Sequence, residues 1–170
     1  MNKRKWMKKF LSKWALVMLG VALTITSAVI SNYFIAKNND RVGDWERDAA
    51  NVGIQIEEIW ENSRSLERRK DTAVLLMVSQ GEHPQSKAFI SDTLSMFGAK
   101  QETEHSYSSI QASYDAYKEG IIEQINEKFL IQQSYLEQAQ LTKMDNDVLI
   151  NIALCFQILG LILVLTKGMD

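Results

Sequence analysis

Hydrophobic residues follow two different patterns along this chain. Residues 14–36, between Lys13 and Lys37, run for 23 positions without a charge, and residues 148–166, between Asp147 and Lys167, do so for 19. Between these runs, apolar residues recur every third or fourth position with charges in the gaps. A helix rises about 1.5 Å per residue and a bilayer core is about 30 Å thick, so roughly 20 apolar residues span it. Both runs have that length. In lipid the backbone must satisfy its own hydrogen bonds, so both are predicted to be helices. Trp14 opens the first run and Tyr33 and Phe34 close it, where aromatic rings sit at a membrane interface. A cleaved signal peptide has an apolar stretch of about 7–15 residues, shorter than this one, so an uncleaved anchor is expected.

The middle of the chain reads as three helical segments. The first runs from about Asn39 to Gln80, with a stripe at Trp45, Ala49, Val52, Ile56, Ile59, Ser63, Leu66, Lys70, Ala73 and Met77. Its four–three spacing buries one face against a neighbour. Ser63 and Lys70 interrupt it, so looser packing or a kink is expected there. Gly81 suits the helix C-terminus and Pro84 the first turn of the next helix. That second segment, Pro84–Phe97, carries Phe89, Ile90, Leu94 and Phe97 and ends at Gly98. The third begins near Gln101, with a stripe at Ile110, Tyr114, Tyr117, Ile121, Ile125, Phe129, Gln132, Leu136 and Ala139. No proline follows, so it is expected to run into the second apolar run, with Gly120 as its weak point.

These readings predict an all-α membrane protein: two transmembrane helices flanking an extracytoplasmic helical hairpin or bundle. The divisions are a basic N-terminus at 1–13, a span at 14–36, a helical domain at 37–147, a second span at 148–166 and a tail at 167–170. The long segments would extend roughly 60 Å and 65–70 Å, close enough to pair antiparallel, with the short helix capping the far end. One hairpin buries little apolar surface, so coiled-coil pairing with another copy or a larger membrane partner is expected.

Charge sets the orientation. Lys3, Arg4, Lys5, Lys8, Lys9 and Lys13 precede the first run with no anion among them, whereas residues 37–147 hold 12 cations against 20 anions. Cations stay on the cytoplasmic side, so both termini are expected there and the acidic middle outside, in a bacterial cytoplasmic (inner) membrane. In the first span Gly20, Thr24 and Ala28 lie four apart, with Ser27 and Ser31 beside them. In the second, Asn151, Gln157 and Gly160 suit a span that faces another helix.

Candidate chemistry is thin. Glu102 and His105 make one Glu-x-x-His pair, whereas helical two-metal sites need two such pairs and further carboxylates. Glu57, Glu58 and Glu61 read as a solvated face, and Arg68, Arg69 and Lys70 as ion-pairing partners. Tyr107, Tyr114, Tyr117, Trp45 and Trp60 could line a groove, but aromatic residues at helical spacing more often pack. The single cysteine, Cys155, excludes a disulfide within the chain. There is no phosphate loop, C-x-x-C or H-E-x-x-H. No enzyme, cofactor or metal is expected, and the acidic middle argues against nucleic acid.

The layout of short basic start, span, helical outer domain and second span resembles the sensory half of bacterial chemoreceptors, in topology alone. That resemblance implies an extracytoplasmic ligand-sensing, signalling module. Only Lys167, Gly168, Met169 and Asp170 follow the second run, so an output domain is not expected. The leading expectation is therefore a non-catalytic interaction, scaffold or regulatory subunit of a membrane complex. Ligand sensing is the alternative, and a membrane-permeabilising effector a second one. Alkaline phosphatase fused after Gln80 should be active and a fusion after Asp170 inactive; the reverse pattern would invert the expected orientation.

Overall fold

A computed structural model describes residues 3–80, 83–99 and 106–166 of the chain, with side chains from residue 14 onward except at Gln80. The described residues are almost entirely helical and contain no strand. Helix α1 is Lys3–Val29; one π-helical stretch, Ile30–Ile35, joins it to α2, Ala36–Gln80. Helix α3 is Pro84–Met96 and α4 is Tyr107–Leu165. Two helical stretches are long and apolar enough to cross a membrane, and only 11% of either apolar window is buried. The core helix of a soluble domain would instead bury most of such a window. Gly81, Glu82 and the stretch Gln101–His105 lie outside the described residues, as does the tail from Lys167. The side chains of Lys3, Arg4, Lys5, Lys8, Lys9 and Lys13 lie outside them too.

The chain packs as two compact units. One comprises Met1–Arg47 with Tyr135–Asp170, and the other Asp48–Ser134. The boundaries between them fall within α2 and α4, inside the segment 37–147 that charge alone marks out.

In the first unit, α1 continues into α2 without a break. The half-buried and buried positions as far as the start of the π stretch include Gly20, Leu23, Ser27 and Ile30; beyond it come Ile35, Asn38, Val42 and Trp45. A three–four alternation would place the position after Ile30 at Phe34, which is exposed. The observed step to Ile35 is one residue longer. A π bulge is a helix carrying one extra residue, and here it resets the phase between the two stretches.

In the second unit, α3 packs against the end of α2 and the start of α4. Pro84 occupies the first turn of α3, and the His83 imidazole Nδ1 accepts from the Gln85 amide at 3.4 Å. The helix ends at Gly98, whose φ of 79° is the left-handed conformation that glycine adopts without cost. The Gly98 and Ala99 amides donate to the Ser95 and Leu94 carbonyls, each at 3.0 Å, closing the last turn. Ala73, Ile90, Leu94 and Ile110 form the buried core, with Val74, Met77, Phe89 and Ala99 against it. Phe97 packs on Tyr114 and Tyr117, with ring centroids 5.5 and 5.6 Å apart.

Of the ten stripe positions on α2, Ala49, Ser63 and Ala73 are buried and the other seven half-buried. Helix α2 runs unbroken through Ser63 and Lys70, without a kink marked by any change of helix type. On α4 the expected stripe needs correction. Phe129 and Leu136 are exposed, and Lys128 and Tyr135 are half-buried in their place, while Gln132 keeps its expected position. Hydrogen bonds account for the polar members of this face. Lys128 donates to the Gln55 side chain at 2.7 Å, and Gln132 to the Ala49 carbonyl at 3.1 Å. Helix α4 also passes through Gly120 unbroken.

Replacing Ile110 with alanine should lower the opening free energy of the Ile90–Leu94 amides by about 2–5 kcal/mol, read by hydrogen exchange. Unchanged protection there would mean that Ile110 is not a core residue.

Candidate functional site

The two apolar runs approach each other closely where Gly20 of α1 meets Gly160 of α4. A Cβ added at Gly20 would sit 2.8 Å from the Gly160 carbonyl oxygen. One added at Gly160 would sit 2.7 Å from the Gly20 carbonyl oxygen and 2.6 Å from Thr24 Oγ1. Two of these obstacles are backbone, which cannot swing aside. Only glycine on both helices permits this separation, the role small residues play where helices pair in lipid.

Polar groups continue the contact along the pair, each satisfied. The Thr24 hydroxyl donates within α1 to the Gly20 carbonyl at 3.0 Å. Ser27, 5% exposed, donates across the pair to the Ala153 carbonyl at 2.7 Å. Further along, Asn38 Nδ2 donates to Asn146 Oδ1 at 2.9 Å, and Asn146 Nδ2 donates to Asn39 Oδ1 at 2.8 Å. Asn146 is 5% exposed, so its amide exchanges hydrogen bonds with α2 instead of water. Lys143 then pairs with Glu46 at the solvated edge. Ala139, Asn146, Ala153 and Gly160, all buried, lie seven residues apart, the repeat of a left-handed helix pair.

Among the residues singled out from sequence, Gly20, Thr24 and Gly160 come together here. Ala28 and Ser31 are exposed and lie off the contact. A 3.5-residue repeat from Gly20 leads through Thr24 to Ser27, whereas steps of four drift to the side. Asn151 and Gln157 are also exposed and do not face α1. The sequence reading did not single out Asn38, Asn39 or Asn146. Their signal was available: amides at heptad positions beside an apolar run commonly fix register. At the same end of α1, Tyr33 and Phe34 are exposed and packed edge to face at 5.3 Å, with the Lys37 ammonium 5.9 Å from the Tyr33 ring.

The second unit carries the charged and aromatic candidates. Arg69 stacks over Phe89 at 4.7 Å, pairs with Asp92 and donates to Thr93 Oγ1 at 3.3 Å. Lys70 lies 4.5 Å over the Tyr114 ring and 3.4 Å from the Asp71 carboxylate. Burial raises the Tyr114 hydroxyl above its ordinary range, and the Glu67 carboxylate adds to the shift. Burial alone raises Tyr117. Glu57, Glu58, Trp60 and Glu61 are exposed. An open groove of about 430 Å³ is lined by Lys70, Asp71, Val74, Leu75, Val78, Ser79, Tyr107 and Gln111. Of the aromatic side chains named from sequence, Tyr107 borders this groove. No cluster of three or more metal-ligating side chains occurs among the described residues.

No family model, curated protein or solved structure matches this chain. The two apolar helices suggest an integral membrane protein, and its remaining character rests on the packing described above.

Gly160→Leu should force the helices apart. In a Cys155→Ser background, cysteines placed at Ser27 and Ala153 should form a disulfide readily, and adding Gly160→Leu should reduce its yield severalfold. Undiminished cross-linking would show that close approach at Gly160 is not required.

Proposed function

We propose that the chain is a non-catalytic integral membrane protein acting as a helical interaction or scaffold subunit, with both termini cytoplasmic and residues 37–147 outside. The observation that carries this reading is the Gly20–Gly160 contact. It locks α1 to α4 and leaves the other faces of both helices covered with exposed apolar side chains, among them Leu16, Leu19, Ile25, Ile158 and Ile162. A pair fixed in this way presents a constant surface to lipid and to other membrane helices. The aromatic rings at Trp14, Tyr33 and Phe34 support the placement of the first span, since such rings favour the headgroup level. A bacterial cytoplasmic membrane fits the basic N-terminus.

A second reading, an extracytoplasmic ligand-sensing module, is favoured by the groove beside Tyr107. Val74, Leu75 and Val78 supply apolar wall there, and Lys70 and Asp71 supply charge of both signs. A small amphipathic molecule would suit it.

Purification of the full chain in mild detergent should recover one membrane protein in constant stoichiometry, either a second copy or a different chain. Gly160→Leu should reduce that recovery. Repeated recovery of a monomer alone would contradict the scaffold reading.

A further inference from the structure

Helix α4 carries a second seam on the side turned away from α1. Leu141, Met144, Val148, Asn151, Cys155, Ile158, Ile162 and Leu165 alternate at spacings of three and four, and all eight are exposed. At about 100° per residue this line lies nearly opposite Asn146, Ala153 and Gly160, which face α1. The seam extends for roughly 36 Å of helix.

Lipid accounts for part of this face but leaves two observations unexplained. Leu141 and Met144 are 55% and 58% exposed, and they lie before the uncharged run, among Lys143, Asp145 and Asp147. Leu141 stands about 10 Å along the helix from Val148, beyond the start of that run. Hydrocarbon does not reach it, and exposed apolar side chains in that setting need another cover. Asn151 presents the converse problem. It lies inside the uncharged run, is exposed, and points its amide away from α1. In hydrocarbon an amide without a partner is costly.

One occupant answers both. We propose that the Leu141–Leu165 face of α4 is the homodimer interface, packed against the same face of a second copy in a parallel pair. This inference rests on the membrane reading above, because copies inserted with one orientation necessarily bring their α4 helices together in parallel. The carboxamide of Asn151 is self-complementary: each donates to the other's carbonyl oxygen across the twofold axis. One such amide in an otherwise apolar seam fixes register. The flanking charges allow this arrangement. In a parallel pair the residue before each first seam position faces a flank of the partner helix, which sets Gln140 against Asp145 and Asp147 against Ile152, so no two carboxylates oppose each other.

The single cysteine lies on the seam and reports on it directly. Mild copper-phenanthroline oxidation of membranes containing the full chain should convert most of it to a Cys155-linked dimer. In a Cys155→Ser background, single cysteines from position 148 to 162 should cross-link strongly at 148, 151, 158 and 162, as the native Cys155 does, and weakly at 149, 153, 156 and 160. Asn151→Leu, with Cys155 retained, should weaken dimer association about three- to tenfold, as loss of an interhelical hydrogen bond in a membrane does. Carbonate extraction of the same samples separates the two claims. Protein that stays in the membrane but fails to cross-link, or cross-links with its maxima on another face, overturns the seam alone. Protein released by carbonate overturns the membrane reading and the seam with it.

Discussion

The structure depends on the steric fact that two backbones touch at Gly20 and Gly160. At most helix contacts, side chains set the separation and can repack when changed. Here a carbonyl oxygen of the facing helix lies where a Cβ would go on each glycine, so the separation is fixed by the absence of side chains at both positions. The Ser27 hydroxyl can reach the Ala153 carbonyl only across so short a gap. The exchange of amide hydrogen bonds among Asn38, Asn39 and Asn146 then holds the same pair in register further along. Steric fit and polar pairing act at different points of one contact, and each selects the same alignment.

That alignment also gives the π stretch a physical role. The positions facing α4 keep a regular alternation on either side of Ile30–Ile35 but not across it. One inserted residue lets Gly20 and Ser27 face α4 while Val42 and Trp45 also turn inward. A plain α-helix with this sequence would direct Phe34 inward and rotate the following stripe by about 100°. The extra residue reconciles two stripes that are out of phase in the sequence.

Much of this could be read from the residues themselves. The α2 stripe from Trp45 to Met77 was legible because period is a geometric property that tertiary packing does not change. The α3 boundaries followed from Pro84 and Gly98, whose backbone chemistry is local. Other features were not legible. The π stretch carries no proline or glycine, so no residue type announces it. On α4, hydrophobic identity favoured Phe129 and Leu136, whereas the register turned Lys128 and Tyr135 inward, and the Gln55 side chain satisfies the Lys128 ammonium there. Apolar character is a guide to burial only when both faces of a helix are not apolar, and α4 has two apolar stripes. At the candidate site, Gly20, Thr24 and Gly160 stood out by size and spacing. The pairing of Ser27 with Ala153 required knowing which residue lay opposite.

The central claim is that α1 and α4 meet backbone to backbone inside a bilayer. Solid-state NMR of the full chain in lipid vesicles, with the Gly20 carbonyl carbon and the Gly160 α-carbon labelled, measures that contact directly. A strong short-range cross-peak between the two is the expected result. Two membrane-inserted helices that show no such cross-peak would contradict the account.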